Sequence, residues 1–193
     1  MRAYTVRPAA DGDVDALIGL RTEAEKWLRD QAIRQWTDDY HDYARDVLRS
    51  AVEAGTAWVV EDDGLVVATI SMNGPDPDFW DPEDEPDSAL YLGKMIVARS
   101  HAGRDLGDAL MNWASLRARG MGKRWMRIDV RRDNKRLHRY YLDRGWIYVR
   151  TVDPPRRRTE SGTLFQRPAG TITPASTTLT EAPCAVVKQT RCV

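Results

Sequence analysis

Residues 89–114 read ALYLGKMIVARSHAGRDLGDALMNWA and form the most informative stretch of the chain. An apolar run predicts a strand, and the polar residues that follow it predict a turn. From Leu106 onward, apolar residues recur at spacings of three and four, which predicts an amphipathic helix. Gly103 and Gly107 let the backbone at the start of this helix approach a ligand closely. The unpaired N–H groups there lie at the positive end of the helix dipole and suit a phosphate.

Two further segments extend this pattern towards the C-terminus. Residues 124–130, RWMRIDV, predict a strand, and residues 133–146, DNKRLHRYYLDRGW, predict a short helix that ends at Gly145. Asn134 and Tyr141 are seven residues apart, about two helical turns, so we expect both on one face of this helix.

The other elements follow from the same periodicities. Strands are predicted at 3–6, 56–61, 65–72, 90–97, 125–130, 146–152 and 163–166, and helices after Asp11 or Asp13 and over 40–53. The stretch 74–88 holds seven acids, four prolines and no base, which predicts a loop. The predicted order is βααβββαβαββ, an α+β or α/β mixture around one mixed sheet.

We expect one domain over 1–168 and a flexible Thr/Pro-rich tail over 169–193. Cys184 and Cys192 both lie in that tail, so they cannot form a disulfide framework for the core. The tail could be a mere extension, a docking segment or an acceptor in trans. As an extension it could be removed from residue 171 without loss of fold or turnover.

Composition excludes several classes of protein. Of the 193 residues, 42% are hydrophobic and seven are Trp, so the chain is not disordered throughout. No apolar run reaches the length of a membrane span, and the N-terminus lacks the apolar core of a signal peptide. No Cys/His cluster has zinc spacing, so no metal is expected. We therefore expect a cytoplasmic protein that does not bind membranes.

The net charge of zero conceals a strong asymmetry. Residues 1–98 carry 21 acids and 9 bases, whereas residues 117–158 carry 15 bases and 4 acids. This pattern indicates one region that meets an anion and another that meets a cation. The alternative is that the two regions neutralise each other in the folded protein. Nucleic-acid binding is not expected, because the basic residues alternate with core residues and form no reading motif.

The three quoted segments resemble the GNAT family of N-acetyltransferases. That family has a strand, an Arg/Gln-x-x-Gly-x-Gly/Ala loop and a helix, followed by a strand, an Asn, a Tyr seven positions later and a Gly–aromatic pair. Here Asn134, Tyr141, Gly145 and Trp146 fall in that register. The resemblance covers about residues 2–152 and is strongest over 90–150. It implies a central mixed, mostly antiparallel, twisted sheet flanked by helices.

One position departs from the family pattern. The loop reads AGRDLG over 102–107, with Ala102 in place of the leading Arg/Gln and Asp105 in place of the middle glycine. A carboxylate beside a pyrophosphate is repulsive unless it points away or caps the helix. We interpret Asp105 as a helix cap whose backbone N–H still faces the phosphates. The same replacement supports an alternative function, a binding or regulatory module with weak catalysis.

The resemblance implies acetyl-CoA as the co-substrate. Backbone groups of Met95, Ile96 and Val97 would pair with the pantetheine arm as an added strand. The remaining predicted cofactor-binding residues are Ala102, Gly103, Arg104, Asp105, Leu106, Gly107, Asp108 and Asn134.

The resemblance also assigns catalytic roles. Tyr141 would act as the general acid that protonates the departing thiolate, unless it is only a packed aromatic. A backbone N–H near Met95 would polarise the acetyl carbonyl. Asp129, inside an apolar strand, is a candidate base, and a salt bridge to a nearby arginine is its alternative role.

The acidic loop predicts the chemistry of the acceptor. Trp80 is a candidate wall of the substrate pocket, or alternatively an anchor of the loop. Glu85 and Asp87 could act as the base through a water molecule. We expect the acceptor to be a small, cationic primary amine, because the acidic loop and the acidic N-terminal half favour positive charge. Peptide or protein amines are left open as acceptors. The resemblance also implies a possible homodimer, because homodimers are common in that family.

Overall fold

The computed structural model describes residues 3–33, 41–153 and 161–183. Within these ranges the predicted order of elements is confirmed, with one additional strand near the C-terminus. The strands are β1 Ala3–Pro8, β2 Ala57–Asp62, β3 Leu65–Asn73, β4 Ala89–Val97, β5 Trp125–Arg131, β6 Ile147–Thr151, β7 Ser161–Pro168 and β8 Thr178–Glu181. The helices are α1 Val14–Asp30, α2 His41–Glu53, α3 Leu106–Gly120 and α4 Lys135–Leu142.

The described strands form one sheet in the order β6-β7-β5-β4-β3-β2-β1-β8. The pairs β1–β8 and β4–β5 are parallel, and the other neighbours are antiparallel. A mixed, mostly antiparallel sheet with helices against it was predicted, and this fold class is confirmed.

Strand β2 shows how the helices divide between the two faces of the sheet. Ala57 and Val59 pack with α1 and α2, whereas Trp58 and Val60 pack in the cluster that contains the buried residues of α3. Because successive side chains of a strand point to opposite faces, α1 and α2 cover one face and α3 covers the other. None of the helices in the described ranges is long and apolar enough to cross a membrane.

Strands β4 and β5 separate along their length. They pair only where residues 89–91 lie beside residues 125–127. Further along, β4 stays paired with β3, and β5 stays paired with β7. The two central strands thus diverge towards their carboxyl ends, and the sheet opens there.

Strand β4 also carries a β-bulge. Thr69 lies opposite Ile96, and Ser71 lies opposite Gly93, so three steps on β4 match two steps on β3. Lys94 lies at this irregularity with a left-handed φ of 48°. A bulge of this kind leaves one residue outside the regular ladder and redirects the neighbouring side chains.

The prediction of a flexible tail over 169–193 is wrong for residues 169–183, which include a strand of the sheet. Strand β8 pairs in parallel with β1, and the Ala182 N–H donates to the Val6 carbonyl at 2.8 Å. Before β8, Thr173 exchanges two hydrogen bonds with the side chain of Asn112 on α3, at 2.7 and 2.8 Å. This segment has few bulky apolar residues, so hydrophobic periodicity did not predict its order. Hydrogen bonds of the sheet and of side chains hold it instead. Residues 184–193, with both cysteines, lie outside the described residues.

Candidate active site

A cleft of about 900 Å³ opens where β4 and β5 diverge. Residues of both strands line it, together with the end of α1, the loop that follows β3, and α4. Concave sites with apolar walls and a few polar groups are the usual form of small-molecule sites. Within the described ranges, no cluster of three or more His, Cys, Asp or Glu side chains could hold a metal ion.

The last residues of β4 form one side of the cleft. Met95, Ile96 and Val97, predicted to bind the cofactor through their backbone, all line the cavity. They lie beyond the last residue pair of β4 and β5, so β5 does not occupy this edge of β4. An extended ligand can therefore pair with β4 as an additional strand.

Asp105 adopts a left-handed conformation at the start of α3, with φ of 55°. Asp105 occupies the N-cap position, as predicted, but its side chain makes no capping hydrogen bond. Its Oδ2 instead accepts a hydrogen bond from the Ser176 hydroxyl at 2.8 Å, in the segment before β8. Left-handed backbone favours glycine, which explains why the family pattern has glycine at this position.

Two side chains that follow Asp105 are committed to the protein itself. Leu106 is buried in the core, and Asp108 binds Arg144 at 2.5 and 2.9 Å. A Cβ added at Gly107 would lie in van der Waals contact with the Tyr140 hydroxyl, at 3.4 Å. Backbone groups of residues 102–108 and the exposed side chain of Arg104 are thus available to a ligand. These residues lie beyond the end of β4 and do not line the cleft itself.

Asn134 caps α4, because its Oδ1 accepts a hydrogen bond from the Leu137 N–H at 3.0 Å. Asn134 and Tyr141 both line the cleft, in agreement with their predicted position on one face of this helix. The capping bond starts the helix at a fixed point, so it also fixes where Tyr141 lies two turns later.

Tyr141 is buried among the aromatic rings of Tyr140, Trp146 and Phe165 and still lines the cleft. Burial raises the pKa of Tyr141 well above that of free tyrosine, with smaller contributions from Tyr140 and Asp129. The phenol therefore keeps its proton at neutral pH. The ring packing and the role as an acid are compatible, since the packing holds the side chain at the cleft.

Asp129 and Lys94 bring opposite charges to the cleft. Asp129 lies on β5 with its side chain exposed, and Lys94 lies across from it on β4. Sequence reasoning missed Lys94. A Gly–Lys pair within an otherwise apolar strand was the available signal, because glycine inside a strand often marks a bulge.

The three predicted substrate-binding residues separate in the structure. Trp80 is buried, lines the cleft and lies 4.4 Å beneath the guanidinium of Arg127. The structure does not bring Glu85 or Asp87 to the cleft. Glu85 forms an ion pair with Arg124, and the Asp87 carbonyl accepts a hydrogen bond from Lys123 at 2.7 Å.

Three carboxylates of the acidic loop pair with arginines of the second half of the chain. Arg150 on β6 binds the Asp84 carboxylate at 2.6 and 2.8 Å and also contacts Asp81 at 3.2 Å. The Arg150 hydrogen bond is the largest cause that lowers the pKa of Asp84. This loop therefore offers a cationic ligand less free negative charge than its sequence predicts.

A cleft between diverging parallel strands of a mixed sheet, with a glycine-containing turn before the next helix, defines the acyltransferase class that the sequence resembles. The model of the Acetyltransferase (GNAT) family matches residues 21–146, which is more than half of the chain. The chain therefore belongs to the GNAT family, and the predictions of the family and of an acyltransferase are confirmed.

Relatives of this chain agree with that assignment. It is 28% identical over 151 residues to the uncharacterized N-acetyltransferase YesJ of Bacillus subtilis, covering 74% of this chain and 81% of that protein. A GNAT-family acetyltransferase of Listeria monocytogenes has a similar fold, with a TM-score of 0.70 and 22% identity over 86% of this chain and 94% of its own. The PaiA N-acetyltransferase of Thermoplasma acidophilum, solved with coenzyme A, has a TM-score of 0.65 and 14% identity over 86% and 98%.

Proposed function

We propose that this protein transfers the acetyl group of acetyl-CoA directly to the primary amine of a small acceptor. One observation carries the proposal. The unpaired edge of β4 at Met95–Val97 and the protonated phenol of Tyr141 open onto the same cleft. A thioester held along that edge would lie between a hydrogen-bond donor of the backbone and an acid.

The residues present fit a coenzyme A molecule. The edge of β4 can pair with the amides of a pantetheine arm. Beyond it, the glycine-containing turn leads into α3, whose first N–H groups suit a pyrophosphate. Asp105 does not prevent this fit, because its carboxylate is bound to Ser176. The structural neighbour from Thermoplasma acidophilum was solved with coenzyme A, which supports the same ligand here.

Each catalytic role then falls to a group of this chain. Acetyl-CoA supplies an acetyl group activated as a thioester. The acceptor must lose a proton before it attacks, and Asp129 is the carboxylate proposed to take it. A backbone N–H at the bulge beside Met95 stabilises the negative charge that develops on the carbonyl oxygen. The Tyr141 hydroxyl donates its proton to the departing thiolate.

The cationic nature of the acceptor stays a prediction. Its basis was the acidic loop, whose Asp84 and Glu85 are paired with arginines, whereas Trp80 remains as a wall of the cleft. The proposal therefore requires only a primary amine and does not depend on a second positive charge on the acceptor. A peptide or protein amine is the alternative acceptor. A homodimer stays a prediction, which light scattering tests. The cytoplasmic location also stays a prediction, which cell fractionation tests.

The test is titration calorimetry of acetyl-CoA and of free CoA into the pure protein, followed by thiol release with a panel of amines. We expect acetyl-CoA to bind with micromolar affinity, on the order of −8 kcal/mol. Turnover with at least one small amine is expected to follow. Absence of acetyl-CoA binding would favour the alternative, a binding or regulatory module in which Asp105 has closed the phosphate site.

A further inference from the structure

Lys94 is a charged side chain of the cleft that the proposed reaction does not use. It lines the cavity, and burial lowers the pKa of its ammonium group. Asp129 favours the charged form, whereas Arg21 on α1 opposes it. Within the part of the chain that the structure describes, this ammonium makes no hydrogen bond and no ion pair. Asp129 supplies a nearby negative charge but no direct contact, and an ammonium partly withdrawn from water without a hydrogen-bonded partner is costly.

The backbone provides a second observation at the same residue. Lys94 lies at the bulge of β4 and adopts a left-handed conformation that is strained for any residue except glycine. Gly93, its neighbour, would adopt that conformation without strain, yet the positive φ falls on the lysine. Strained backbone persists where the surrounding structure requires it, and it concentrates at ligand sites.

We propose that Lys94 binds a carboxylate of the acceptor, so that the substrate is an amine with a carboxylate a few bonds from its nitrogen, as in an amino acid. This inference rests on the proposed function. The acceptor would supply the direct, hydrogen-bonded partner that Asp129 does not. Lys94 directly precedes Met95, whose backbone is proposed to face the acetyl carbonyl, so the anchoring charge lies close to the reacting nitrogen.

The charges near Lys94 agree with an anionic rather than a purely cationic ligand. Arg21 is compensated by Glu25, which it binds at 2.6 Å on the buried side of α1. The neighbouring wall is apolar, with Leu28 and Trp80 lining the cleft. A ligand carboxylate placed there would meet an ammonium that has no direct partner among the described residues, and the partial burial of Lys94 strengthens a charged hydrogen bond.

The experiment compares amines that differ only in the carboxylate. Phenylalanine, phenylalaninamide and phenethylamine form one set, and leucine, leucinamide and isopentylamine form a second. Thiol release from acetyl-CoA gives kcat/KM for the wild type, Lys94→Met and Lys94→Glu. We expect the wild type to prefer the carboxylate-bearing member at least about tenfold. Lys94→Met should abolish this preference, and Lys94→Glu should reverse it towards the amines without a carboxylate.

Two controls separate this inference from the proposed function. The melting temperature shows whether each variant is folded, and calorimetry shows whether it still binds acetyl-CoA. If the wild type binds acetyl-CoA but shows no preference for the carboxylate, or acetylates none of the six amines, the role of Lys94 is overturned. If acetyl-CoA does not bind to the wild type, the proposed function itself fails. An unchanged preference in Lys94→Met would also reject the inference.

Discussion

At the scale of single residues, two adjacent tyrosines of α4 have different environments. Tyr141 packs against Trp146 and Phe165, whereas the Tyr140 ring lies 3.6 Å from the Arg144 guanidinium. Burial raises the pKa of Tyr140 to about 12 and raises the pKa of Tyr141 further. Both phenols therefore stay protonated at neutral pH, and only position distinguishes them as acids.

This pair provides a matched test of the catalytic acid. Tyr141→Phe should lower kcat by about 100-fold or more and leave acetyl-CoA binding intact, because only proton donation is lost. Tyr140→Phe should change kcat much less. Since the pKa of Tyr141 is raised, the wild-type kcat should show no loss from tyrosine deprotonation up to about pH 10. Equal effects of the two substitutions on kcat would assign the acid elsewhere.

Asp105 shows how one backbone angle limits the choice of residue. Asp105→Gly and Asp105→Ala both remove the carboxylate that binds Ser176. Glycine relieves the left-handed strain and alanine does not, so the glycine variant should be more stable by about 1 kcal/mol. Urea unfolding measures this difference. The glycine variant should also bind acetyl-CoA at least as tightly as the wild type, and weaker binding would show that the carboxylate assists the phosphate site.

At the scale of elements, β8 and the segment before it contradict the expected tail. Arg167 on β7 is fully buried, and burial lowers its pKa. Its Nη1 donates to the Thr173 hydroxyl at 3.0 Å and to the Arg144 carbonyl at 3.2 Å. The C-terminal segment therefore helps to solvate a buried guanidinium as well as extending the sheet.

Deletion of residues 171–193 tests this role. The sequence suggested no effect, but the structure leads us to expect a loss of about 2 kcal/mol or more, because a buried charge loses a partner and β1 loses its neighbour. Urea unfolding at neutral pH measures the change. Deletion of residues 184–193 alone removes none of the described contacts and serves as the control. Equal stability of both truncated proteins would refute this structural role.

At the scale of the whole molecule, part of the charge asymmetry of the sequence is matched internally. Acids of the first half meet bases of the second half, as in the pairs Asp84–Arg150 and Glu85–Arg124. Of the two interpretations of this asymmetry, mutual neutralisation accounts for three carboxylates of the acidic loop, those of Asp81, Asp84 and Glu85. The loop contacts β5 through Arg127 and β6 through Arg150. Trp80, within this loop, packs against Arg127 and lines the cleft.

This match predicts how stability depends on pH. The folded-state pKa of Asp84 is lowered, chiefly by the hydrogen bond from Arg150, so its stabilisation is present above the unfolded pKa of about 3.9 and disappears as pH falls through the folded value. Asp84→Asn should cost about 1 kcal/mol at pH 7. The cost should shrink below about pH 4. Asp81→Asn, at a more exposed carboxylate, is the control with a smaller effect, and a pH-independent cost at Asp84 would contradict the prediction.

The sequence by itself determined the order of the elements, the family and the alignment of Asn134 with Tyr141. These features are local, because helix and strand periodicities and the spacing along one helix are written in neighbouring residues. Only the tertiary structure decided that β8 pairs with β1, that Glu85 forms an ion pair with Arg124 and that Lys94 lines the cleft. Each of these depends on which distant segment supplies the partner, and hydrophobic periodicity does not encode the choice of partner for a polar side chain or an edge strand.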